Sequence, residues 1–393
     1  MMGTKQIVSL LLVVVCIVAA IVYLGNGKVK PVISNTPAQD VVVPVVDSTM
    51  KKEEGPVAMV SAQDRIASKT AKYDRAKEIT NPSGFVNTQG KPVKIADYVG
   101  KKVILLDIMT YSCINCIRTY PYINEWYSKY EDKGLIVIGI HTPEFDFEKV
   151  QSNVETAMKK YGIKFPVVLD NDYGTWSAYK NLYWPRKYLI DIDGFVRYDH
   201  IGEGGYAETE EVIKDLLKER ANVLGLSVDL NMAVTSGATE RQSFGQSPET
   251  YLGSARNEFL ANGTPGESGT KTFTVPAKLS TNKLYLDGTW NVGPQNVEST
   301  DANASIVYPF SAKKVFLVMS ARTPTDAEIL IDGKPISTLE KGDDVKMVSN
   351  KGVVTVSDSR LYSLYAASES STHTITIRAG AAGLQAFAFT FGN

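Results

Sequence analysis

Cysteine and histidine are scarce in this chain of 393 residues, with three of each. The cysteines are Cys16, Cys113 and Cys116, so no disulfide framework staples the fold. A structural zinc site normally takes four Cys or His ligands. His141, His200 and His373 are scattered, which leaves zinc the lesser alternative. No charge of one sign dominates: 42 basic residues stand against 43 acidic ones, a formal net charge of −1. That balance excludes an electrostatic case for nucleic acid or for an anionic membrane surface. The length suffices for two or three domains with buried cores. No cofactor is expected.

Only one long apolar run is present. Ile7 to Leu24 is uncharged over 18 residues, with Lys5 before it and Lys28 and Lys30 after it. About 20 apolar residues span a bilayer, whereas a signal-peptide core is usually about 7–15. An uncleaved membrane anchor is therefore expected. The rival is a cleaved signal, with small residues at Val18-Ala19-Ala20 or Gly25-Asn26-Gly27. Cys16 reads as a small apolar residue inside the span. From Gly25 to about Gln63 the chain turns to Val, Pro, Ser and Thr with no lasting period, as a flexible tether does.

Beyond the tether, Gln63 to Lys77 suits a helix, and Phe85 to Ile95 a hairpin turning at Gln89-Gly90. Apolar runs at Val103–Ile108, Leu135–Ile140 and Pro166–Leu169 read as buried strands. Helical periods fall at Phe147–Tyr161, Thr175–Leu182 and Glu208–Val223. Asp193-Gly194 is a hairpin turn between Lys187–Ile192 and Phe195–His200. The order is α/β with parallel strands and a closing hairpin. After about Ala221 the helical periods stop. Ile329–Ile336 reads as a hairpin, and short alternating strands follow at Val353–Val356, Leu361–Tyr365, His373–Ile377 and Leu384–Phe391. The last places Phe387, Phe389 and Phe391 on one face. This pattern indicates a β-sandwich.

Cys113 and Cys116 lie two residues apart where the Val103 strand gives way to a helix. A thiol attacks a disulfide as thiolate, and unpaired N–H groups at a helix N-terminus stabilise that anion. Cys113 is thus the expected attacking thiol. Cys116, one turn in, would resolve the mixed disulfide, and it needs a proton acceptor. Asp107 at the strand end is the candidate; an ordinary turn aspartate is the blander account. Trp184-Pro185 stands just before a strand, and an X–Pro bond takes the cis form at a cost of only about 0.5–1 kcal/mol; backbone exposed beside it could pair with an extended substrate segment, and an ordinary trans proline is the alternative. Pro121 lies inside the helix and is expected to kink it. His141 and Glu144 are a further acid/base pair worth weighing against a loop histidine beside a helix cap.

Residues ~80–222 resemble the thioredoxin superfamily, its TlpA/redoxin-type branch, and most closely the thioredoxin-like domain of DipZ-type proteins. The match is carried by Thr110-Tyr111-Ser112-Cys113-Ile114-Asn115-Cys116-Ile117-Arg118-Thr119, by His141-Thr142-Pro143-Glu144-Phe145, and by Tyr183-Trp184-Pro185-Arg186-Lys187-Tyr188-Leu189-Ile190-Asp191. The resemblance implies that Cys113 is nucleophile, Cys116 resolving thiol, Asp107 the buried acid and Pro185 the cis-proline. Two residues depart from the family pattern: Met109 stands where tryptophan is common, and Thr119 where many TlpA-type relatives have an acid. The C-terminal part resembles the β-sandwich of DipZ-type proteins through Ser247-Pro248-Glu249-Thr250-Tyr251-Leu252-Gly253, Asp287-Gly288-Thr289-Trp290 and Ala386-Phe387-Ala388-Phe389-Thr390-Phe391-Gly392. Such modules look like carbohydrate-binding sandwiches, although Tyr285 and Trp290 suit core packing better than a sugar platform.

The expected architecture is an N-terminal transmembrane helix or signal (1–24), a linker (25–62), and an α/β thioredoxin-like domain (63–222) with a central mixed sheet and helices on both faces. A jelly-roll-like β-sandwich (223–393) completes it. The expected function is extracytoplasmic thiol–disulfide exchange on protein substrates, re-reduced by a separate membrane electron donor. The protein would be membrane-tethered, or secreted if the N-terminus is cleaved. The rivals are a redoxin-type peroxidase using Cys113 with Arg118, and a non-catalytic glycan-binding surface protein.

Overall fold

The apolar runs become strands in the computed structural model, which describes residues 61–233, 235 and 246–392. The run Ile7–Leu24 and the tether as far as residue 60 lie outside the described residues; the tether's expected last residues, Ser61 to Gln63, instead cap and begin a helix. Among the described residues no helix is long and apolar enough to cross a membrane.

Helix α1 (Ala62–Thr70) starts at Ser61, whose hydroxyl accepts the Asp64 amide. There follow β1 (Gly84–Val86), β2 (Val103–Met109), α2 (Ile114–Tyr130), β3 (Leu135–His141), α3 (Gln151–Lys160), β4 (Val167–Leu169), α4 (Gly174–Ala178), β5 (Arg186–Ile190), β6 (Val196–Ile201) and α5 (Tyr206–Leu224). The sheet order is β1-β4-β3-β2-β5-β6. β2, β3 and β4 run parallel, while β1, β5 and β6 pair antiparallel. Every residue of β2 and β3 is buried, as continuous apolar strands inside a covered sheet must be.

Alternate residues feed two cores. Val103, Leu105 and Met109 pack with Tyr120, Ile123 and Trp126 of α2, Val154 of α3 and Ile213 and Leu217 of α5. Ile104, Leu106 and Ile108 pack on the other face with Ile138, Ile140, Tyr188 and Ile190, covered by Trp176 of α4 and Ile95. α1 is held by charge: Lys69 Nζ lies 2.7 Å from Asp191 and 2.6 Å from Asp193, and it also meets Glu219. Arg65 pairs with Asp193 at 2.6 Å.

The Phe85–Ile95 hairpin does not form. β1 pairs with β4 instead, because the Asn87 amide donates to the Ile163 and Phe165 carbonyls and draws the segment to that edge. The helix expected from Phe147 begins at Gln151, after a 3-10 turn over Asp146–Lys149. α2 continues through Pro121.

The C-terminal strands are β7 (Thr250–Tyr251), β8 (Gly269–Phe273), β9 (Tyr285–Val292), β10 (Val297–Ser299), β11 (Ser305–Ala321), β12 (Thr325–Ile331), β13 (Lys334–Pro335), β14 (Lys346–Val348), β15 (Lys351–Val356), β16 (Arg360–Ala379) and β17 (Leu384–Gly392). They do not form the two separate sheets of the expected jelly-roll sandwich. All belong to one hydrogen-bonded sheet that closes on itself. The cause is the length of β11: Ser305–Val307 pairs with β9, while Lys314–Ala321 pairs with β17. β17 pairs with β10 and β10 with β9, completing the ring. The segments Leu361–Tyr365 and His373–Ile377 are one strand, β16, with register shifts against β11.

A second correction concerns β17. Phe389 and Phe391 enter the β-rich core, but Phe387 does not share their face. The register jumps between Val318↔Ala388 and Met319↔Ala386, so Phe387 is the extra residue of a β-bulge. The bulge turns its ring outward. There it joins Val318 and Leu361 against Ile114 and Phe145, a cluster that packs the β-rich part onto the α/β part.

Candidate active site

Cys113 occupies the N-cap position of α2 with extended backbone, φ −74° and ψ 121°. It is half-buried, Cys116 is wholly buried, and both are free thiols. One helical turn separates them, and the Ile117 amide donates to the Cys113 carbonyl at 3.0 Å. Burial, above all, pushes the Cys116 thiol well up from its ordinary value, with further contributions from the Cys113 sulfur and from Asp107.

Asp107 lies in β2 and is wholly buried. Neither carboxylate oxygen has a hydrogen-bond partner among the described residues. Burial pushes its carboxyl up from 3.8 to about 6, against the opposing pull of Lys187. Lys187 is the directly paired residue on β5, and its ammonium reaches the Gly202 carbonyl at 3.2 Å. Tyr120 closes the space beside β2: its hydroxyl donates to the Thr110 carbonyl at 3.1 Å and lies 3.6 Å from Met109 Sδ. Met109 is thus buried under α2, not displayed as a docking surface. Thr119 is also buried, its hydroxyl on the Asn115 carbonyl.

The Trp184–Pro185 peptide bond is cis. Trp184 Nε1 donates to the Thr142 carbonyl at 3.1 Å, and the Thr142 amide donates to the Met109 carbonyl at 3.0 Å. These two bonds tie the Trp184 loop to the end of β2. Arg118 pairs with Glu203 at 3.1 Å.

His141 and Glu144 do not work as a pair, for they engage different neighbours. His141 is wholly buried, stacked on Tyr111 with ring centroids 5.6 Å apart, and burial lowers it to about 3. Glu144 turns to the β-rich part, accepting from Tyr251 Oη at 2.7 Å and Arg256 Nη1 at 2.9 Å. Trp290 is wholly buried with its Nε1 on the Asp287 carbonyl, so it offers no face to a sugar.

One residue of the site escaped sequence reasoning. Glu148 is wholly buried and accepts from Thr110 Oγ1 and Ser112 Oγ, each at 2.6 Å. Its one sequence signal is its place three residues after Phe145, whose amide it reaches back to accept at 2.9 Å, as an N3 acid does in a capping box. Among the described residues one carboxylate trio has metal-ligand spacing, Asp191, Asp193 and Glu219. The Lys69 ammonium sits among them, so the trio is an ion-pair hub.

A mixed sheet, a two-cysteine helix mouth, a buried acid and a cis-proline loop define a thioredoxin-type domain. Comparison with known proteins agrees. Residues 73–199 match the AhpC/TSA family model, and residues 247–392 match that of the thioredoxin-like C-terminal domain. Protein DipZ of Mycobacterium tuberculosis is 35% identical over 318 residues, 81% of this chain and 43% of DipZ. The chain therefore spans less than half the length of that relative. Thiol-disulfide oxidoreductase ResA of Bacillus cereus is 34% identical over 151 residues, 38% of this chain and 82% of ResA. A solved thiol-disulfide isomerase from Corynebacterium glutamicum is 19% identical with a TM-score of 0.33, covering 37% of this chain and 97% of that one. The chain belongs to the thioredoxin-like thiol–disulfide oxidoreductases.

Proposed function

We propose that the chain is a membrane-tethered, extracytoplasmic enzyme that exchanges disulfides with protein substrates through Cys113 and Cys116. The carrying observation is the half-buried Cys113 at the α2 N-cap, with the buried Cys116 one turn behind it and Asp107 buried in the adjoining strand. In the reducing direction the Cys113 thiolate attacks a substrate disulfide. A mixed disulfide forms and one substrate thiolate leaves. Cys116 then loses its proton to the Asp107 carboxylate and attacks the Cys113 sulfur. The second substrate thiolate departs and takes up a proton. Two electrons have moved to the substrate, and the Cys113–Cys116 pair is left oxidised. Each turnover therefore requires an electron donor; a separate membrane protein fills that role in this reading. Substrate chain docks against Trp184 and Pro185.

The tether is the run Ile7–Leu24, and the thioredoxin-like and β-rich parts meet near residue 223 in this reading. Resistance of the full chain to alkaline extraction from membranes tests the anchor; release into the soluble fraction would refute it. A redoxin-type peroxidase would need an arginine at the thiolate, and the ion pair of Arg118 with Glu203 argues for exchange instead. Insulin reduction tests the chemistry. Cys113→Ser abolishes it, and full activity in that variant overturns the proposal. The direction follows from the potential of the couple: about −270 mV marks a thioredoxin-like reductant and about −120 mV a strong oxidant.

A further inference from the structure

Glu148 takes no part in the exchange steps, yet its carboxylate joins three segments of the molecule. Oε1 accepts from Thr110 Oγ1 at 2.6 Å, Ser112 Oγ at 2.6 Å and the Ser112 amide at 3.3 Å. Oε2 accepts from the Glu144 amide at 2.6 Å and the Phe145 amide at 2.9 Å. One oxygen thus holds the segment that ends at Cys113, and the other holds the loop after β3.

That loop is gripped from the far side by the β-rich part. The Glu144 carboxylate accepts from Tyr251 and Arg256. The Asp146 amide donates to Gln295 Oε1 at 2.9 Å. The Phe145 and Phe147 rings meet Phe387 edge-on, at centroid distances of 5.1 and 4.8 Å. Two contacts reach the cysteine segment directly: Tyr111 Oη donates to the Ser359 carbonyl at 3.0 Å, and Ile114 packs with Leu361 and Phe387. A buried carboxylate with donors on both sides cannot follow a shift of one side without losing bonds to the other. A displacement of the 144–148 loop is therefore felt at Ser112.

We propose that Glu148 is a positioning residue through which the C-terminal β-rich part sets the orientation, and so the reactivity, of Cys113. The inference rests on the reading of Cys113 and Cys116 as the redox couple. The β-rich part is then a component of the redox site and not an appended binding module. The Tyr251 hydroxyl acts on Cys113 only by way of Glu144, the loop and Glu148.

The test uses the full chain with Glu148→Gln, Tyr251→Phe and the double variant. Glutamine keeps the shape but presents an amide N–H₂ to one of the two donor sets. Two quantities are read: the rate of Cys113 alkylation by iodoacetamide in the reduced protein, and the reduction potential against glutathione buffers. Glu148→Gln is expected to change the alkylation rate by about fivefold or more, Tyr251→Phe by about twofold, and the double variant no more than Glu148→Gln alone. The potential moves with the rate. Wild-type rate and potential in a folded Glu148→Gln protein overturn the inference, as do single effects that simply multiply in the double variant. Should Glu148→Gln fail to fold, Tyr251→Phe and Arg256→Gln carry the test, and unchanged values in both overturn it. A wild-type pair with no reversible couple defeats the underlying reading and this inference with it. Normal cycling with unmoved variants defeats this inference alone.

Discussion

Asp107 and Lys187 face each other as directly paired residues of β2 and β5, and both are wholly buried. The lysine favours the carboxylate and burial disfavours it. Burial wins, leaving the acid at about 6. Such a group is mostly ionised at neutral pH, so it can accept a proton, and it releases one without a large penalty.

That raised value makes the acid a source of pH-dependent stability. In the unfolded chain Asp107 titrates near 3.8, so the protonated form favours the fold. Its contribution is fully present below about pH 3.8 and is lost as pH rises through about 6. Asp107→Asn should therefore be more stable than wild type at pH 7–8 by about 3 kcal/mol. The difference should vanish towards pH 4. Urea denaturation at several pH values measures it.

In the proposed exchange the same residue takes the Cys116 proton that release of substrate requires. Below about pH 6 Asp107 holds its proton and cannot take one from Cys116. Breakdown of the mixed disulfide should slow by about tenfold per pH unit below that point. In Asp107→Asn it should be slow throughout and lack this acid limb. Quenched-flow trapping of the mixed disulfide reads both profiles. Cys116→Ser should accumulate the same species at every pH.

Phe387 offers a test of the contact between the two parts. Its ring, turned out by the bulge in β17, meets Phe145 and Phe147. Phe387→Ala should cost about 3–5 kcal/mol through the cavity it opens. The loss should appear in thermal unfolding, whereas a surface aromatic would cost little.

The Lys69 hub predicts an opposite pH response. Arg65, then Lys69, hold the Asp193 carboxyl below the usual range. That stability is present above the unfolded value and is lost as pH falls through the depressed one. Lys69→Met leaves Asp191, Asp193 and Glu219 facing one another. It should destabilise the protein at pH 7 by roughly 2–3 kcal/mol, less than a fully broken buried pair because Arg65 and Arg197 remain. Lowering the pH towards the carboxyl range should narrow the deficit, as calorimetry can show.

Much of this was legible from neighbours along the chain. The apolar runs of β2 and β3 announce buried strands, and Cys113 with Cys116 at the mouth of α2 announces redox chemistry, because both signals are local. The Gln89-Gly90 turn misled for the same reason: turn chemistry is present, yet the Asn87 side-chain amide donates to carbonyls 76 and 78 residues away. The alternation of Phe387, Phe389 and Phe391 misled because a bulge depends on the partner strand β11, which a period of two does not record.

By itself the sequence determined the α/β order, the placement of Cys113 and Cys116 where a buried strand gives way to a helix, and the switch to strands after α5, since these rest on periodicity and short spacing. Only the tertiary structure decided that Lys187 is the residue buried opposite Asp107, that Glu148 holds the cysteine segment, that the C-terminal strands close into one sheet, and that Phe387 packs against Ile114, Phe145 and Phe147. Those facts depend on segments distant in sequence excluding water around a charge or a ring, and burial of that kind leaves no periodic mark in the chain.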